Sequence, residues 1–342
     1  MSSTRQWRRS EKPLFPCVED EVWDRLPSAP HVIRVGDRLR MYYHARQGSS
    51  QEKIPFFPGR SAMRTKDGSW AWSVSVDDRI RIGFAEASLD NPFAWEKHPD
   101  NPVLDVGPAG AIDSHWASYP WVVPVTDTHW HLYYATFAGE YLDEAKSAKL
   151  WRTSLAESDD AGLTWKRTGR PLFELGRPGA PDAHGSGSCA VRKVGEAYWM
   201  WYTAIYKPHS HWYKISVALA TSTDGGHTFT PHAAGALLSI PPRIGYPGST
   251  CSKPFVEYDG NLFRMWFSCA KDELYRIAYA ESQDGVHFKW DPEPVLDVSP
   301  SGWDQEMTCY PSVLHLGERT LMFYAGNNYA NIGVAERVLV ID

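Results

Sequence analysis

One pattern is written five times along the chain, and few folds can accommodate it. Its clearest copy runs from Ile112-Asp113-Ser114-His115-Trp116 into the apolar segment Tyr119-Pro120-Trp121-Val122, then into a second segment, Leu132-Tyr133-Tyr134-Ala135. Asp182-Ala183-His184 leads in the same way to Cys189-Ala190-Val191 and then Trp199-Met200-Trp201-Tyr202. Trp303-Asp304-Gln305-Glu306 leads to Tyr310-Pro311-Ser312-Val313 and then Leu321-Met322-Phe323-Tyr324. Fainter copies start at Trp23-Asp24 and at Tyr246. Each copy continues into a third segment of small residues alternating with apolar ones, such as Arg81-Ile82-Gly83-Phe84-Ala85, which suits a strand packed on both faces. Turns such as Asp224-Gly225-Gly226 and Asp284-Gly285 follow, and Asp-Gly is a strong hairpin signal. A fourth segment opens on an aromatic and closes on Pro-apolar-apolar, as in Trp165 to Pro171-Leu172-Phe173.

Four strands in each of five repeats predict an all-β chain, a five-bladed β-propeller of four-stranded antiparallel blades. The last repeat lacks its fourth strand, and the N-terminus supplies one. Gln6-Trp7-Arg8-Arg9-Ser10-Glu11-Lys12-Pro13-Leu14-Phe15 aligns with Thr164-Trp165-Lys166-Arg167-Thr168-Gly169-Arg170-Pro171-Leu172-Phe173. The expectation is therefore one domain, 1–342, with blades at about 17–104, 105–173, 174–238, 239–296 and 297–342, and the ring closed by residues 1–16. The long connections between second and third strands, near 46–78, 137–149 and 205–213, fall at the mouth where the inner strands begin.

The 342 residues are 43% hydrophobic and 22% charged, enough to fill a core. A net charge of -6 without basic clusters speaks against nucleic acid or an anionic membrane surface as partner. Arg8-Arg9 is not followed by an apolar export segment, and no stretch has the length of a membrane span. Five cysteines without a CxxC pair read as reduced thiols of a cytoplasmic protein. The sequence leaves the oligomeric state open.

What recurs in a repeat supports the fold, and what diverges at equivalent positions is free for chemistry. Nine residues before the inner-strand valine stand Asp113, Asp182 and Asp304, with Asp24 offset by one. Both a structural and a catalytic role are open to them. Seven residues before the valine the chain has Arg25, His115, His184, Ser249 and Glu306, where the residue type diverges among the copies. The expected catalytic set is Asp24, Asp113, Asp182, His184 and Glu306. Arg25, His115, Trp116, Arg243, Tyr246 and Trp303 are the expected substrate contacts. A rival reading makes His115, His184 and Glu306 the ligands of a central metal ion; the carboxylate reading needs no cofactor.

The repeats from Trp303-Asp304 to Pro311-Ser312-Val313, and Ala280-Glu281-Ser282-Gln283-Asp284-Gly285-Val286-His287-Phe288, resemble the five-bladed propeller glycoside hydrolases of family 43, with relatives in families 32, 68, 117 and 130. The resemblance implies an Asp base in the first blade, an Asp that tunes pKa in the second and a Glu acid in the third. Asp24 and Asp113 match the first two places. The third blade departs, because Asp182-Ala183-His184-Gly185 offers Asp or His in place of Glu. A small sugar or glycoside is the implied substrate, cleaved by an acid and a carboxylate across the ring. A biosynthetic enzyme that uses the fold for other chemistry, and a carbohydrate-binding propeller without catalysis, remain alternatives.

Overall fold

The computed structural model describes residues 3–18, 22–47, 79–141, 149–209, 212–238, 250–271, 274–290 and 293–341. The regular elements of these residues are β-strands, with one 3-10 turn at Asn327–Tyr329. Strand β1 (Ser3–Arg9) comes first. Repeat I is β2 (Leu26–Val35), β3 (Arg38–Arg46), β4 (Ile80–Ser88) and the short β5 (Glu96–Lys97). Repeat II is β6 (Trp116–Pro124), β7 (Trp130–Tyr141), β8 (Lys149–Ser158) and β9 (Lys166–Pro171). Repeat III is β10 (Gly185–Val194), β11 (Ala197–His209), β12 (Trp212–Ser222) and β13 (Thr230–Leu238). Repeat IV is β14 (Cys251–Tyr258), β15 (Phe263–Lys271), β16 (Leu274–Ser282) and β17 (Lys289–Trp290). Repeat V is β18 (Cys309–Leu316), β19 (Arg319–Gly326) and β20 (Ala330–Ile341).

Within each repeat the strands pair antiparallel in chain order, and repeat V is completed by β1 lying against β20. The register matches the alignment of 6–15 with 164–173: Arg9 sits opposite Ala335 as Arg167 sits opposite Ala156, and Phe15 bridges Ile332. The first strands of the repeats, β2, β6, β10, β14 and β18, are buried on both faces, which is why they read as near-continuous apolar runs. Each packs against the first strands of the repeats before and after it, and β18 packs against β2.

A bulge interrupts every one of these inner strands. In four of them it carries a non-glycine residue at positive φ: Ala29, Tyr119, Lys253 and Tyr310. Each of the four is followed by proline, which has no N–H to give the ladder and so is placed at bulges. The freed N–H of the residue before it turns to the preceding repeat: Tyr119 donates to His44 Nδ1 (2.9 Å), Lys253 to Thr203 Oγ1 (3.0 Å) and Tyr310 to Ser268 Oγ (2.8 Å). The bulges thus fasten neighbouring repeats together.

Candidate functional site

The recurring aspartates take part in a brace that recurs with them. Asp24, Asp113, Asp182 and Asp304 accept hydrogen bonds from Tyr43 (3.2 Å), Tyr134 (3.0 Å), Tyr202 (2.8 Å) and Tyr324 (2.7 Å), each on the second strand of its own repeat. A base from the fourth strand closes three of the four. Lys97 Nζ lies 2.5 Å from Asp24, Arg167 Nε 2.8 Å from Asp113, and Arg9 Nε 3.5 Å from Asp304. Pro231 occupies the equivalent position in repeat III, opposite Ala220, so Asp182 has its tyrosine without this base. Repeat IV replaces tyrosine and base together, with Phe267 edge-on to Trp290 at 5.6 Å. The fit is close: a Cβ on Gly107 would stand 2.1 Å from Asp113 Oδ1, and one on Gly176 would stand 2.2 Å from Asp182 Oδ1.

This geometry gives Asp24, Asp113 and Asp182 the structural part that the sequence leaves open beside catalysis. All three are buried; Asp24 and Asp113 are tied to both the second and the fourth strand of their repeats, and Asp182 to the second. Trp303, half-buried against the core, stacks on Tyr324 at 5.1 Å and fills the space left by Gly326 and Gly333. Trp116 is buried against Phe137 and Trp151. Arg243, Tyr246 and Ser249 lie outside the described residues, as do 48–78 of the first long connection.

The divergent positions stand in another setting. His115, His184 and Glu306 are half-buried just ahead of their inner strands, while Arg25 is buried and bonds Val18 O through Nε (3.3 Å). His115 lies against Gly139, where a Cβ would approach the ring to 2.7 Å, with Ser114 Oγ 3.2 Å from its Nδ1. His184 faces the Tyr206 ring at 5.3 Å. The main chain of Glu306 is held on both sides, its N–H donating to Asn327 Oδ1 (2.9 Å) and its carbonyl accepting from Arg276 Nη1 (3.0 Å). Its Oε1 is out of solvent with no protein partner. A buried carboxylate oxygen without a donor is costly. His115, His184 and Glu306 do not bring ligand atoms together around one ion. Among the described residues the three-ligand group that does so is His129, His131 and Glu157, elsewhere in repeat II.

Four residues below these positions come the bulge residues, and there side chains from non-adjacent repeats meet. The Tyr119 and Tyr310 hydroxyls are 3.1 Å apart. Tyr310 stacks on Tyr329 (6.0 Å), Tyr329 meets Tyr275 edge-on (5.7 Å), and Tyr119 leans on Trp151 (5.9 Å). Burial pushes the Tyr119 hydroxyl up to about 12 and the Tyr310 hydroxyl well above its ordinary value, so both stay protonated donors. Under this aromatic floor lies Lys253, wholly buried, its ammonium unpartnered by protein and 5.9 Å from the Trp121 ring. Burial lowers its pKa to about 8. His31, Trp121 and Phe255 close the layer below, with centroids 4.3 Å (His31–Trp121) and 5.3 Å (Trp121–Phe255) apart. Sequence reasoning passed over the tyrosines and Lys253. The signal was available for Tyr119, Tyr310 and Lys253: each precedes a proline, where a strand must bulge.

No family model matches the sequence. An uncharacterised Mycobacterium tuberculosis protein, Rv1502, is 27% identical over 97% of this chain and 99% of its own length. Among solved structures, Zg3597, a family 117 glycoside hydrolase from Zobellia galactanivorans, superposes with a TM-score of 0.66 at 14% identity, over 99% of this chain and 92% of that one. A β-1,2-mannobiose phosphorylase from Listeria innocua gives 0.63 at 14% identity over 91% and 88%. The resemblance stated from the repeats is thereby met in three dimensions: the chain has the β-propeller-like, all-β fold of the propeller-type glycoside hydrolases and sugar phosphorylases.

Proposed function

We propose that the protein is a carbohydrate-active enzyme that cleaves or transfers a glycosidic bond at the mouth end of its inner strands, with Glu306 as the working carboxylate. The observation that carries this reading is the Glu306 Oε1, desolvated and unpartnered, in the segment that leads into β18 and its aromatic cluster of Tyr310, Tyr329 and Tyr275. A sugar offers both complements, hydroxyls for the carboxylate and an apolar ring face for tyrosine and tryptophan. Glu306 acts as general acid or base, while His115 and His184 supply the remaining polar contacts. Asp24, Asp113 and Asp182 hold the repeats in shape.

The architecture we infer is a single-domain, five-bladed propeller whose ring is closed by β1. Support comes from the mutual packing of the five inner strands and from the meeting of Tyr119 with Tyr310 across two non-adjacent repeats. The solved relatives include enzymes that hydrolyse and enzymes that phosphorolyse their sugars, so water and phosphate are both tested as acceptor. We place the enzyme in the cytoplasm, on a small glycoside. Cys17, Cys189, Cys251, Cys269 and Cys309 are all buried in the core as thiols rather than disulfides, in keeping with a reducing compartment.

The test is a panel of aryl arabinofuranosides, xylosides, galactosides and mannosides, with and without phosphate. Glu306→Gln should lower turnover by about 10²–10⁴-fold, the usual worth of a general acid or base, without changing the melting temperature. Full activity in Glu306→Gln, or no turnover of any sugar by the wild type, overturns the proposal.

A further inference from the structure

Remote from Glu306, three histidines converge on one carboxylate. His129 and His131 lie at the start of the second strand of repeat II, Glu157 lies at the end of its third strand, and His227 belongs to the turn before β13 of repeat III. The Nε2 atoms of His129, His131 and His227 lie 3.7, 3.8 and 3.1 Å from Glu157 Oε1. Ligand atoms of His129, His131 and Glu157 lie within 4.8 Å of one another; ligands of a tetrahedral zinc, with bonds near 2.0–2.1 Å, stand about 3.3 Å apart, so small side-chain movements would bring these three into a coordination shell, with His227 Nε2 beside the Glu157 carboxylate as the fourth candidate. His131 is 1% exposed, and its Nε2 has no protein partner.

The other ring nitrogen of every histidine is already used. His129 Nδ1 is 2.9 Å from the Asp159 carboxylate, and His227 Nδ1 is 2.8 Å from the Asp224 carbonyl. Both partners only accept, so each Nδ1 carries the proton. His131 Nδ1 is 3.1 Å from Tyr133 Oη, whose own proton goes to the Gly226 carbonyl (3.1 Å), so this Nδ1 donates too. Such outer partners fix the tautomer and aim of metal-binding imidazoles, here turning all three Nε2 atoms toward Glu157. Gly226, at φ +91°, admits the arrangement because a Cβ there would stand 2.2 Å from Tyr133 Oη.

The repeats provide an internal comparison. Arg38 and Arg40 of repeat I occupy the places of His129 and His131, and both pair with Glu86, the counterpart of Glu157 (3.3 and 2.8 Å). In repeat II the fixed cations are exchanged for imidazoles around the same carboxylate. We propose that His129, His131, His227 and Glu157 form a binding site for a divalent transition metal of the zinc type, clasping repeat II to repeat III away from the mouth. Nitrogen-rich donors with one carboxylate suit zinc, and the half-exposed His129 and His227 leave the site open to solvent.

The experiment uses the full chain, stripped with a chelator and titrated with zinc alone by calorimetry, with elemental analysis after desalting and cobalt(II) absorption as a readout of geometry. One zinc per chain is expected, with a melting temperature raised by about 5 °C at a hundredfold excess over Kd. His129→Ala, His227→Ala and Glu157→Gln should each weaken binding at least tenfold, while His115→Ala and His184→Ala should leave it unchanged. The His129 and His227 side chains are partly exposed, so a zinc-free melting temperature like that of the wild type certifies the fold of those variants. Absence of stoichiometric zinc, binding indifferent to the three substitutions, or binding lost with His115 or His184 overturns the proposal.

Discussion

The histidine clasping repeat I to repeat II sets an acid limit on the fold. His44 Nδ1 accepts the Tyr119 N–H, so the ring cannot hold a proton there while the clasp is made. Burial first, and then the charge of Lys253, lower its pKa to about 3, and the same two causes keep His31 well below its ordinary value. In the unfolded chain both rings take a proton near 6.5. Below that pH the unfolded state binds more protons than the native one, so stability falls as pH falls, by about 1.4 kcal/mol per pH unit for each ring. Denaturant titrations between pH 4 and 6 should show His44→Gln, whose amide oxygen can still accept the N–H, with a slope shallower by one proton. An unchanged slope would mean that His44 is not held neutral. Lys253 gives the mirror experiment. Its amine is neutral in the native state above about pH 8, whereas the unfolded chain keeps the proton to about 10.4, so the wild type gains stability as pH rises through that interval. Lys253→Met should therefore melt higher at pH 7 and lose its advantage by pH 10. Lower melting at both pH values would show that the ammonium has partners that stabilise it.

Within a repeat, the aspartate brace explains why sequence reading separated recurrence from role only halfway. The recurrence of Asp24, Asp113, Asp182 and Asp304 was plain, and so was the tyrosine two places beyond the apolar partner of each inner valine. Their bond was hidden, because Tyr134 is 21 residues from Asp113 and Arg167 is 54 residues away. Only strand pairing brings such positions together. The divergent set of His115, His184 and Glu306 was legible because repeats make equivalent positions comparable. The zinc-type cluster was not, since its ligands come from two repeats and no short motif announces them. Asp113→Asn leaves Arg167 beside a neutral amide, and breaking such a buried pair costs about 3–5 kcal/mol. Asp182→Asn, in the repeat with Pro231 at the base position, should cost less. A double-mutant cycle with Arg167→Met should recover part of the loss, as coupled partners do. Turnover per folded molecule near that of the wild type is the expected companion result. Loss of turnover without loss of stability would return Asp113 to the catalytic set.

For the whole molecule the decisive strand is the first. Five repeats can be read from the sequence because the chain has few other ways to bury that many doubly apolar strands. The joining of its ends could be read because residues 6–15 repeat 164–173 so closely. The structure places that segment in the same register, with Arg9 also reaching Asp304, the Asp297 carbonyl and Ser299 Oγ (3.0 Å), and with Phe15 stacked on Tyr43 of repeat I (5.4 Å). The N-terminus therefore ties repeat V to itself, to Asp297, which pairs with Arg276 of repeat IV (2.6 Å), and to repeat I. Deleting residues 1–16 should strip β20 of its partner and leave an open strand edge, the usual start of aggregation. It also removes the base from the Asp304 brace and the Phe15 side chain from the core, losses worth about 3–5 kcal/mol each by analogy with other buried ion pairs and aromatics. We expect a truncated protein that melts well below the full chain and aggregates on concentration. A synthetic peptide spanning residues 3–16 should restore the melting temperature when added in trans, and the same peptide with Arg9→Met and Phe15→Ala should not. A truncation that melts with the full-length protein would show that β1 decorates repeat V without closing anything.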